Sequence, residues 1–389
     1  MRKRWGLREG GRQTPGRRRV LFFGTYDASI YPRIAVLREG LTALGDEVIE
    51  CNVPLRVPTR LRVEMLHKPW LASVLVLHIL RCWAHLVKGA RQVGHVDLVV
   101  VGYMGQFDVH LARALWPRVP IVLDHLVPAG EAAVDRRCTS AVIVKALRFL
   151  DWAATRTADV VCVDTEEHLA FAGRRGGLVI PVGAPEAWFC EPHARVDRPL
   201  KVIFFGSFTP LQGAPVIAEA AALLTNANVE LTFVGRGQDW QTSRDLAGDC
   251  PHVKWIDWIE PALLPAFVAE HDVSLGIFGT ASKAMSVVPT KVFQGAAAGA
   301  AIVTSDTGPQ REALGVVAAY VPPGDAHALA ETLAALAGDR ARVERMRESS
   351  FRVANVHFRP RAVVAQLAIQ ARPVVIRARR SRAAVQVVR

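Results

Sequence analysis

The sequence predicts an α/β protein built from two doubly wound, Rossmann-like domains that face each other across a cleft. Two stretches carry this prediction, RVLFFGTY at residues 19–26 and KVIFFGSF at residues 201–208. Each has a cation, four apolar residues, a glycine, a small hydroxyl residue and an aromatic residue. An apolar strand that ends in glycine before a helical pattern is how a doubly wound domain begins. The 389 residues, 51% of them hydrophobic, suffice for about two or three such domains.

The first half continues with alternating helices and strands. Pro32 suits the first turn of a helix, and an apolar stripe at helical spacing follows it until Gly45. The stripe consists of Ile34, Leu37, Leu41 and Leu44. The strands predicted after the first are residues 47–53, 96–102, 120–124, 158–165 and 178–183.

The second half is more regular, and an aspartate-capped helix is predicted at residues 325–339. Its later strands are predicted at residues 229–235, 252–258, 273–279, 301–306 and 318–323. The segment 186–199 lacks periodicity and contains two prolines, which is typical of a linker. The predicted organisation is a disordered basic leader (1–19), an N-terminal domain (20–185), the linker (186–199), a C-terminal domain (200–356), a helix that crosses back to the first domain (357–371) and a basic tail (372–389).

Most of the positive charge lies at the two ends of the chain. Residues 1–19 hold eight Lys or Arg and one Glu, and residues 372–389 hold six Arg and no acid, against a net charge of +12 for the whole chain. The body is therefore nearly neutral, and a nucleic-acid partner is not expected. Basic ends of this kind could bind anionic lipid. The six cysteines form no CxxC pair, which favours a reducing cytosol over a disulfide framework or a zinc site.

One segment of the first half is suited to a membrane surface. KPWLASVLVLHILRCWAHLVKGARQ, at residues 68–92, mixes apolar residues, Trp70 and Trp83 with several cations. Its apolar run is too short to span a bilayer, which takes about 20 residues. Two interpretations stay open: a helix lying at the membrane interface, or a helix packed inside the first domain. The expected location is cytoplasmic, with peripheral attachment to the inner face of the membrane as the further possibility.

The stretch VPTKVFQGAAAGAAIVTSDTGPQRE, at residues 288–312, indicates an anion site. It predicts a short helix with Lys291 in its first turn and Gln294 one turn later, then a buried strand and a turn leading to Glu312. A cation is unfavourable at a helix N-terminus, where free N–H groups give a partial positive charge. A bound anion would reverse this, because such helix ends bind phosphate.

Residues 20–370 resemble the GT-B glycosyltransferases, and most closely a divergent subgroup of the retaining family-4 type. The stretch 275–312, LGIFGTASKAMSVVPTKVFQGAAAGAAIVTSDTGPQRE, is similar to their nucleotide-sugar motif. The stretches 22–48, 158–168 and 179–189 are similar to the acceptor domain, and residues 202–224 to the opening of the donor domain. The resemblance implies that the first domain binds the acceptor and the second the donor.

The same resemblance implies a set of donor-binding residues. The phosphates would be bound by Lys291 and Lys283, and the loop after the first donor-domain strand would approach them closely. The implied donor-binding residues are Gly206, Ser207, Gln212, Gly213, Arg236, Lys283, Lys291 and Gln294. Ser207 and Gln212 stand where the family usually has Arg and Lys, and Ser286 and Gln294 where it has two glutamates. Gln294 could still hydrogen-bond ribose hydroxyls.

Other residues are assigned by position in the resemblance. His125, with Asp124 before it, and Glu312 are the catalytic candidates, His125 as a contact of the transferred sugar. Thr25, Tyr26 and Arg33 are the candidates on the acceptor side, Arg33 for an acidic acceptor.

The function implied is transfer of a sugar from a nucleotide-diphosphate donor to an acceptor hydroxyl, with retention of configuration and without a metal or other cofactor. Expected partners are the nucleotide sugar and a glycan or lipid-linked acceptor, as in cell-surface polysaccharide or glycolipid synthesis, with an anionic membrane as a further candidate. Two alternatives stay open: a nucleotide-sugar 2-epimerase on the same fold, and a catalytically inactive module that binds through its basic ends.

Overall fold

The structure is a computed structural model that describes residues 17–28, 31–57, 65, 72–136, 138–171, 177–191, 198–224 and 228–369. The predicted tail and nearly all of the predicted leader lie outside the described residues. So do residues 68–71 of the amphipathic segment and residues 192–197 of the predicted linker.

The N-terminal half is built on a parallel sheet of six strands in the order β2-β1-β3-β4-β5-β6. The strands are β1 (Arg19–Gly24), β2 (Glu47–Asn52), β3 (Leu98–Val101), β4 (Ile121–Asp124), β5 (Val160–Val163) and β6 (Leu178–Val179). Because the strand order reverses at β1, the crevice beyond the carboxyl ends of β1 and β3 is where such a sheet binds ligands.

Helices cover both faces of this sheet. Helix α1 (Pro32–Ala43) packs on one face. The opposite face is covered by α2 (Ala72–Val93), α3 (Asp108–Leu115) and α5 (Ala141–Thr157). Helix α4 (Ala129–Asp135) packs against α5, and α6 (Glu166–Phe171) follows β5.

Helix α2, which contains most of the amphipathic segment, is packed inside the first domain along one side only. Ile79 and Leu86 are buried in the first domain, and Trp83 donates a hydrogen bond to Asp108. Leu77 and Leu80, on another side of the same helix, are about half exposed. None of the described helices is both long enough and apolar enough to cross a bilayer.

The C-terminal half is built on a second parallel sheet of six strands, in the order β12-β11-β10-β7-β8-β9. The strands are β7 (Leu200–Phe205), β8 (Val229–Val234), β9 (Val253–Ile256), β10 (Val273–Leu275), β11 (Ala301–Ser305) and β12 (Ala319–Val321). The order reverses at β7, so the ligand crevice of this sheet lies beyond the carboxyl ends of β7 and β10. Two sheets of this kind confirm the predicted fold class.

The helices of this half alternate with its strands. They are α7 (Ala214–Leu223), α8 (Trp240–Ala247), α9 (Leu264–Ala269), α10 (Ser282–Met285), α11 (Thr290–Ala297), α12 (Gly308–Leu314), α13 (Ala326–Gly338) and α14 (Arg340–Val353). The side chain of Asp325 accepts a hydrogen bond from the backbone N–H of Ala328, so it caps α13 as the sequence predicts.

The chain returns to the first sheet after α14. A π-helical turn (Ala354–Phe358) leads into a helix over residues 360–369. Val363, Val364 and Leu367 of this helix are buried in one cluster with residues of β1 and α1. The first domain therefore obtains part of its core from the end of the described chain.

Gly40 on α1 allows this return helix to approach closely. A Cβ atom at residue 40 would lie 2.2 Å from the carbonyl oxygen of Pro360 and 2.6 Å from Cγ2 of Val364. Gly40→Ala is therefore expected to lower the free energy of unfolding by about 1–3 kcal/mol, the usual cost of overpacking. Gly338→Ala is the matched control, because nothing lies within 4 Å of the Cβ added at Gly338. Equal urea midpoints for the two variants would contradict the expectation.

The predicted strands are all present, but several are shorter than predicted. Residues 180–183 do not continue β6, because the proline at position 181 has no N–H to donate. Residues 276–279 leave β10 and form part of the loop against which Gly213 packs. The predicted domain boundaries stay predictions.

Candidate functional site

The candidate site lies at the carboxyl edge of the second sheet, where the loop after β7 meets the start of α11. Gly206 follows β7 with φ +131°, and Gly213 precedes α7 with φ +66°. Both are conformations that favour glycine. Helix α11 begins after Pro289, with no side chain capping its first N–H groups.

Lys291, in the first turn of α11, is buried with 5% of its surface exposed. Its amine has no hydrogen-bond partner and lies 3.6 Å from the centroid of the Phe204 ring. Burial lowers the pKa of this amine well below its usual range. A buried donor without a partner costs about 1–3 kcal/mol, so a polar group held in this way points to a ligand.

The glycine loop lies directly beside this amine. A Cβ atom at Gly206 would lie 3.5 Å from Nζ of Lys291. At Gly213 a Cβ atom would lie 2.4 Å from the backbone nitrogen of Gly279, so this turn has room only for glycine. Oε1 of Gln212, in the same loop, is a second buried polar atom without a hydrogen-bond partner.

Six of the residues assigned to donor binding thus lie on the loop after β7 or on α11. Gly206 and Ser207 are exposed at the end of β7, whereas Gln294 is buried one turn after Lys291 on α11. The six are Gly206, Ser207, Gln212, Gly213, Lys291 and Gln294. Their roles stay predictions.

Arg236 and Lys283 have charged neighbours other than Lys291. Arg236 pairs with Asp257 at 2.5 Å and stacks over the Trp240 ring at 3.7 Å, on the protein surface. Lys283, on α10, has first-domain residues as its charged neighbours, with Asp135 and Asp164 among them. Burial lowers the pKa of Lys283, and these carboxylates oppose that shift.

Asp124 and Arg33 form a buried ion pair inside the first domain. Nη2 of Arg33 lies 3.0 Å from Oδ1 of Asp124, and Nη1 donates to the carbonyl oxygens of Ile180 and Pro181 at 2.8 and 2.6 Å. Both side chains are almost fully buried. Arg33 and Asp124 are therefore paired with each other, and the pair fixes the end of β4. Their contacts with an acceptor and with substrate stay predictions.

His125 follows this pair and is buried. Its Nε2 lies 3.3 Å from Oδ1 of Asp151, and its Nδ1 has no hydrogen-bond partner. Asp151 also accepts hydrogen bonds from the N–H groups of Ala129 and Gly130 at the start of α4. With Nε2 donating to Asp151, Nδ1 is an acceptor available to a ligand hydroxyl.

Glu312 is exposed on α12. Sequence reasoning missed two polar atoms near the start of this helix. Oγ1 of Thr307 and Oε2 of Glu167 are both buried without a hydrogen-bond partner. A Cβ atom at Gly308 would lie 3.6 Å from Oε1 of Glu167, so this first-domain carboxylate reaches the helix start.

The acceptor-side candidates are engaged within the first domain. Oδ2 of Asp108 accepts hydrogen bonds from the backbone N–H and hydroxyl of Thr25, at 2.7 and 2.8 Å. The hydroxyl of Tyr26 donates to Glu50 at 2.7 Å, and burial together with this bond raises its pKa. Both hydroxyl groups thus donate within the first domain, and the acceptor-side roles of Thr25 and Tyr26 stay predictions.

An aromatic pair at the carboxyl edge of the first sheet was missed. Tyr31, just before α1, stacks on Tyr103, just after β3, with ring centroids 3.6 Å apart. Met104, next to this pair, has φ +58°. A non-glycine residue in this region is strained, and such strain concentrates at functional sites. No sequence pattern links Tyr31 and Tyr103, because they lie on different loops.

The two halves contact each other beside this site. The hydroxyl of Thr165, at the end of β5, donates to the carbonyl oxygen of Ser286 at 2.8 Å. Ser286 lies between α10 and α11, close in sequence to Lys291. Within the described residues, no three His, Cys, Asp or Glu side chains are grouped as a metal site requires.

Comparison with known proteins identifies the scaffold. Residues 199–339 match the family model described as Glycosyl transferases group 1. This segment spans β7 to α13, and so it contains the glycine loop and Lys291. No curated protein sequence is a significant match to the chain.

Several solved glycosyltransferases share the whole fold. HepE of Anabaena in complex with UDP-glucose is 16% identical, with 91% of this chain and 99% of that chain covered and a TM-score of 0.65. Sucrose-phosphate synthase of Thermosynechococcus elongatus is 16% identical, with 92% and 99% covered and a TM-score of 0.65. The α,α-trehalose-phosphate synthase (UDP-forming) of Burkholderia vietnamiensis is 13% identical, with 92% and 97% covered and a TM-score of 0.61. The chain therefore has the GT-B fold and resembles the GT-B glycosyltransferases.

Proposed function

We propose, from this GT-B fold and its group 1 glycosyl transferase segment, that the protein transfers a sugar from a nucleoside-diphosphate sugar to an acceptor hydroxyl. The observation that carries the proposal is the buried, unpartnered amine of Lys291 beside the glycine loop. A diphosphate supplies the anionic acceptor atoms that this amine lacks.

Three features of the site favour a diphosphate over other anions. The uncapped start of α11 presents N–H groups and a partial positive charge. The loop at Gly206 and Gly213 lets backbone approach a ligand closely. Lys291 adds a full charge once a phosphate stabilises its protonated form. HepE, which shares the fold, is solved with UDP-glucose, and we propose a UDP-sugar as the donor on that basis.

The chemistry proposed for these groups is charge stabilisation and positioning. As the bond between sugar and diphosphate breaks, negative charge grows on the leaving phosphate, where preorganised donors lower the barrier. We infer that Nδ1 of His125 accepts a hydrogen bond from a hydroxyl of the transferred sugar. With retention, the leaving phosphate takes the proton of the acceptor hydroxyl, so no separate strong base is needed.

For the acceptor, we propose a glycan or a lipid-linked sugar, of the kind used in cell-surface polysaccharide or glycolipid synthesis. The stacked pair of Tyr31 and Tyr103 supports this, since a sugar ring packs well on an aromatic surface. The pair lies at the carboxyl edge of the first sheet, where an acceptor would bind.

The proposal is tested by ligand screening followed by product analysis. A panel of nucleotide sugars is added to the protein and the melting temperature measured, because a ligand that binds the native state raises it. The stabilising donor is then incubated with candidate acceptors, and the anomeric configuration of the product is determined by NMR. If no nucleoside diphosphate or nucleotide sugar stabilises the protein, the proposal is wrong.

We expect transfer to continue in excess EDTA. Lys291 and the start of α11 supply the positive charge that a divalent metal supplies in other transferases. The measurement is the initial rate of transfer with EDTA, compared with the rate after Mg²⁺ or Mn²⁺ is restored. A rate abolished by EDTA and rescued by metal would contradict this.

A further inference from the structure

The exposed apolar side chains of the first domain are confined to one side of it. Ten large hydrophobic residues with described positions between 17 and 185 are exposed, and each lies on α2, α4, α5 or the turn before α3. They are Val74, Val76, Leu77, Leu80, Met104, Phe107, Val134, Val142, Phe149 and Trp152. Helix α1, on the opposite face of the sheet, contributes none. We call this side, from α2 to α5, the apolar-basic face.

These helices form one layer. Helices α2, α3 and α5 share the same buried cluster under the sheet, with α3 in contact with both α2 and α5. The exposed side chains of these helices therefore lie on a single side of the domain. A soluble monomer rarely exposes so many large apolar residues together, and such a patch usually marks an interaction surface.

The exposed charges of α2, α3 and α5 have one sign. The exposed charged residues of α2, α3 and α5 are all cations: Arg81, Lys88, Arg91, Lys145, Arg148 and Arg156. The two acids of these helices, Asp108 and Asp151, are buried. Arg148 pairs with Glu131 of α4, and Arg156 stacks over Trp152.

We propose that the apolar-basic face docks on an anionic lipid surface. Exposed aliphatic and aromatic side chains that insert between headgroups, flanked by cations, are the composition of peripheral membrane helices. Each cation near such a surface contributes attraction to anionic headgroups. A second copy of this chain is a poorer partner, because it would bring the same cations against each other. The basic ends of the chain are poorer partners too, because the cations of this face would repel them.

The position of the apolar residues fits delivery of a substrate from that surface. Helix α2 follows β2, so its first turns, with Leu77 and Leu80, begin from the carboxyl edge of the sheet. Phe107 lies on the turn after β3, at that same edge. The docked face would therefore adjoin the crevice. This docking does not depend on the donor chemistry proposed above.

The test is flotation of the full-length protein with vesicles. Phosphatidylcholine vesicles with and without phosphatidylglycerol are compared at low and high salt. We expect binding only to the anionic vesicles, weakened by salt. The variant Leu77→Glu/Leu80→Glu/Phe149→Glu/Trp152→Glu is expected to lower the partition coefficient by about tenfold or more, because it removes apolar contact and adds repulsion.

Leu246→Glu/Val316→Glu, two exposed apolar positions of the second domain, is the matched control and is expected to bind as the wild type does. Melting temperature and nucleoside-diphosphate binding show that each variant is folded. Absence of wild-type binding at low salt overturns the proposal. So does equal binding by the fourfold variant, which would assign binding to the basic ends. If the fourfold substitution changes the oligomeric state and no vesicle binding is seen, the apolar-basic face binds a second copy of the chain rather than lipid.

Discussion

Lys291→Met is expected to weaken binding of UDP by about 1.5–3 kcal/mol, the range for hydrogen bonds to charged groups, which is roughly 10- to 150-fold in Kd. The amine of Lys291 is buried without a partner, and no other described cation is placed beside it to compensate. Methionine keeps the length and apolar character of the chain over Phe204 while it removes the donor. Titration calorimetry with UDP measures the change.

The same substitution is expected to stabilise the unliganded protein. In the unfolded chain a lysine holds its proton up to a pH of about 10.4, whereas burial lowers the pKa of Lys291 in the folded chain. The unfolded state therefore binds more protons, and the free energy of unfolding rises with pH between the lowered pKa and about 10.4. Lys291→Met removes this pH dependence. At neutral pH it also removes a buried polar group that destabilises the folded state by about 1–3 kcal/mol.

Lys254→Met is the matched control, because its amine is exposed and pairs with Glu230 on the surface. We expect this variant to change neither UDP affinity nor stability by more than a surface ion pair contributes, about 0–1 kcal/mol. A Lys291→Met protein that binds UDP with wild-type affinity would show that the diphosphate lies elsewhere. A further check is proton uptake, measured as a dependence of the binding enthalpy on buffer, since a diphosphate should protonate the amine.

The second large effect is expected inside the first domain. Asp124→Ala should lower the free energy of unfolding by about 3–5 kcal/mol, because it leaves the guanidinium of Arg33 buried and unpaired. The pair is almost fully inaccessible to water, with side chains 2% and 0% exposed. Urea denaturation followed by tryptophan fluorescence measures the loss.

The double substitution Arg33→Leu/Asp124→Leu tests whether the loss of stability comes from the unpaired charge of Arg33. Removing both charges is expected to recover most of the lost stability, although the carbonyl oxygens of Ile180 and Pro181 lose their donor. Asp306→Ala, which breaks the exposed pair with Arg311, should cost about 0–1 kcal/mol. If Asp124→Ala costs no more than Asp306→Ala, the buried pair is not what holds the end of β4.

The fold and the centre of the candidate site could be predicted from the sequence because their signals are local. The glycine after β7 and the lysine in the first turn of α11 are read from neighbouring residues. The pairing of Arg33 with Asp124 was not accessible, since the two are 91 positions apart and only the folded sheet brings them together. For the same reason the charged neighbours of Lys283, which belong to the first domain, could not be read from the sequence.

The return of residues 360–369 to the first sheet bears on how the chain folds as it is synthesised. Ile34, Leu37 and Leu41 share a buried cluster with side chains of that returning helix, which the ribosome adds more than 300 residues later. At about 5–20 residues per second, that delay is roughly 15 to 70 s. During translation the first domain is therefore left with one apolar side uncovered, while the second domain has all of its strands. That uncovered side is where a chaperone would be expected to bind the nascent chain.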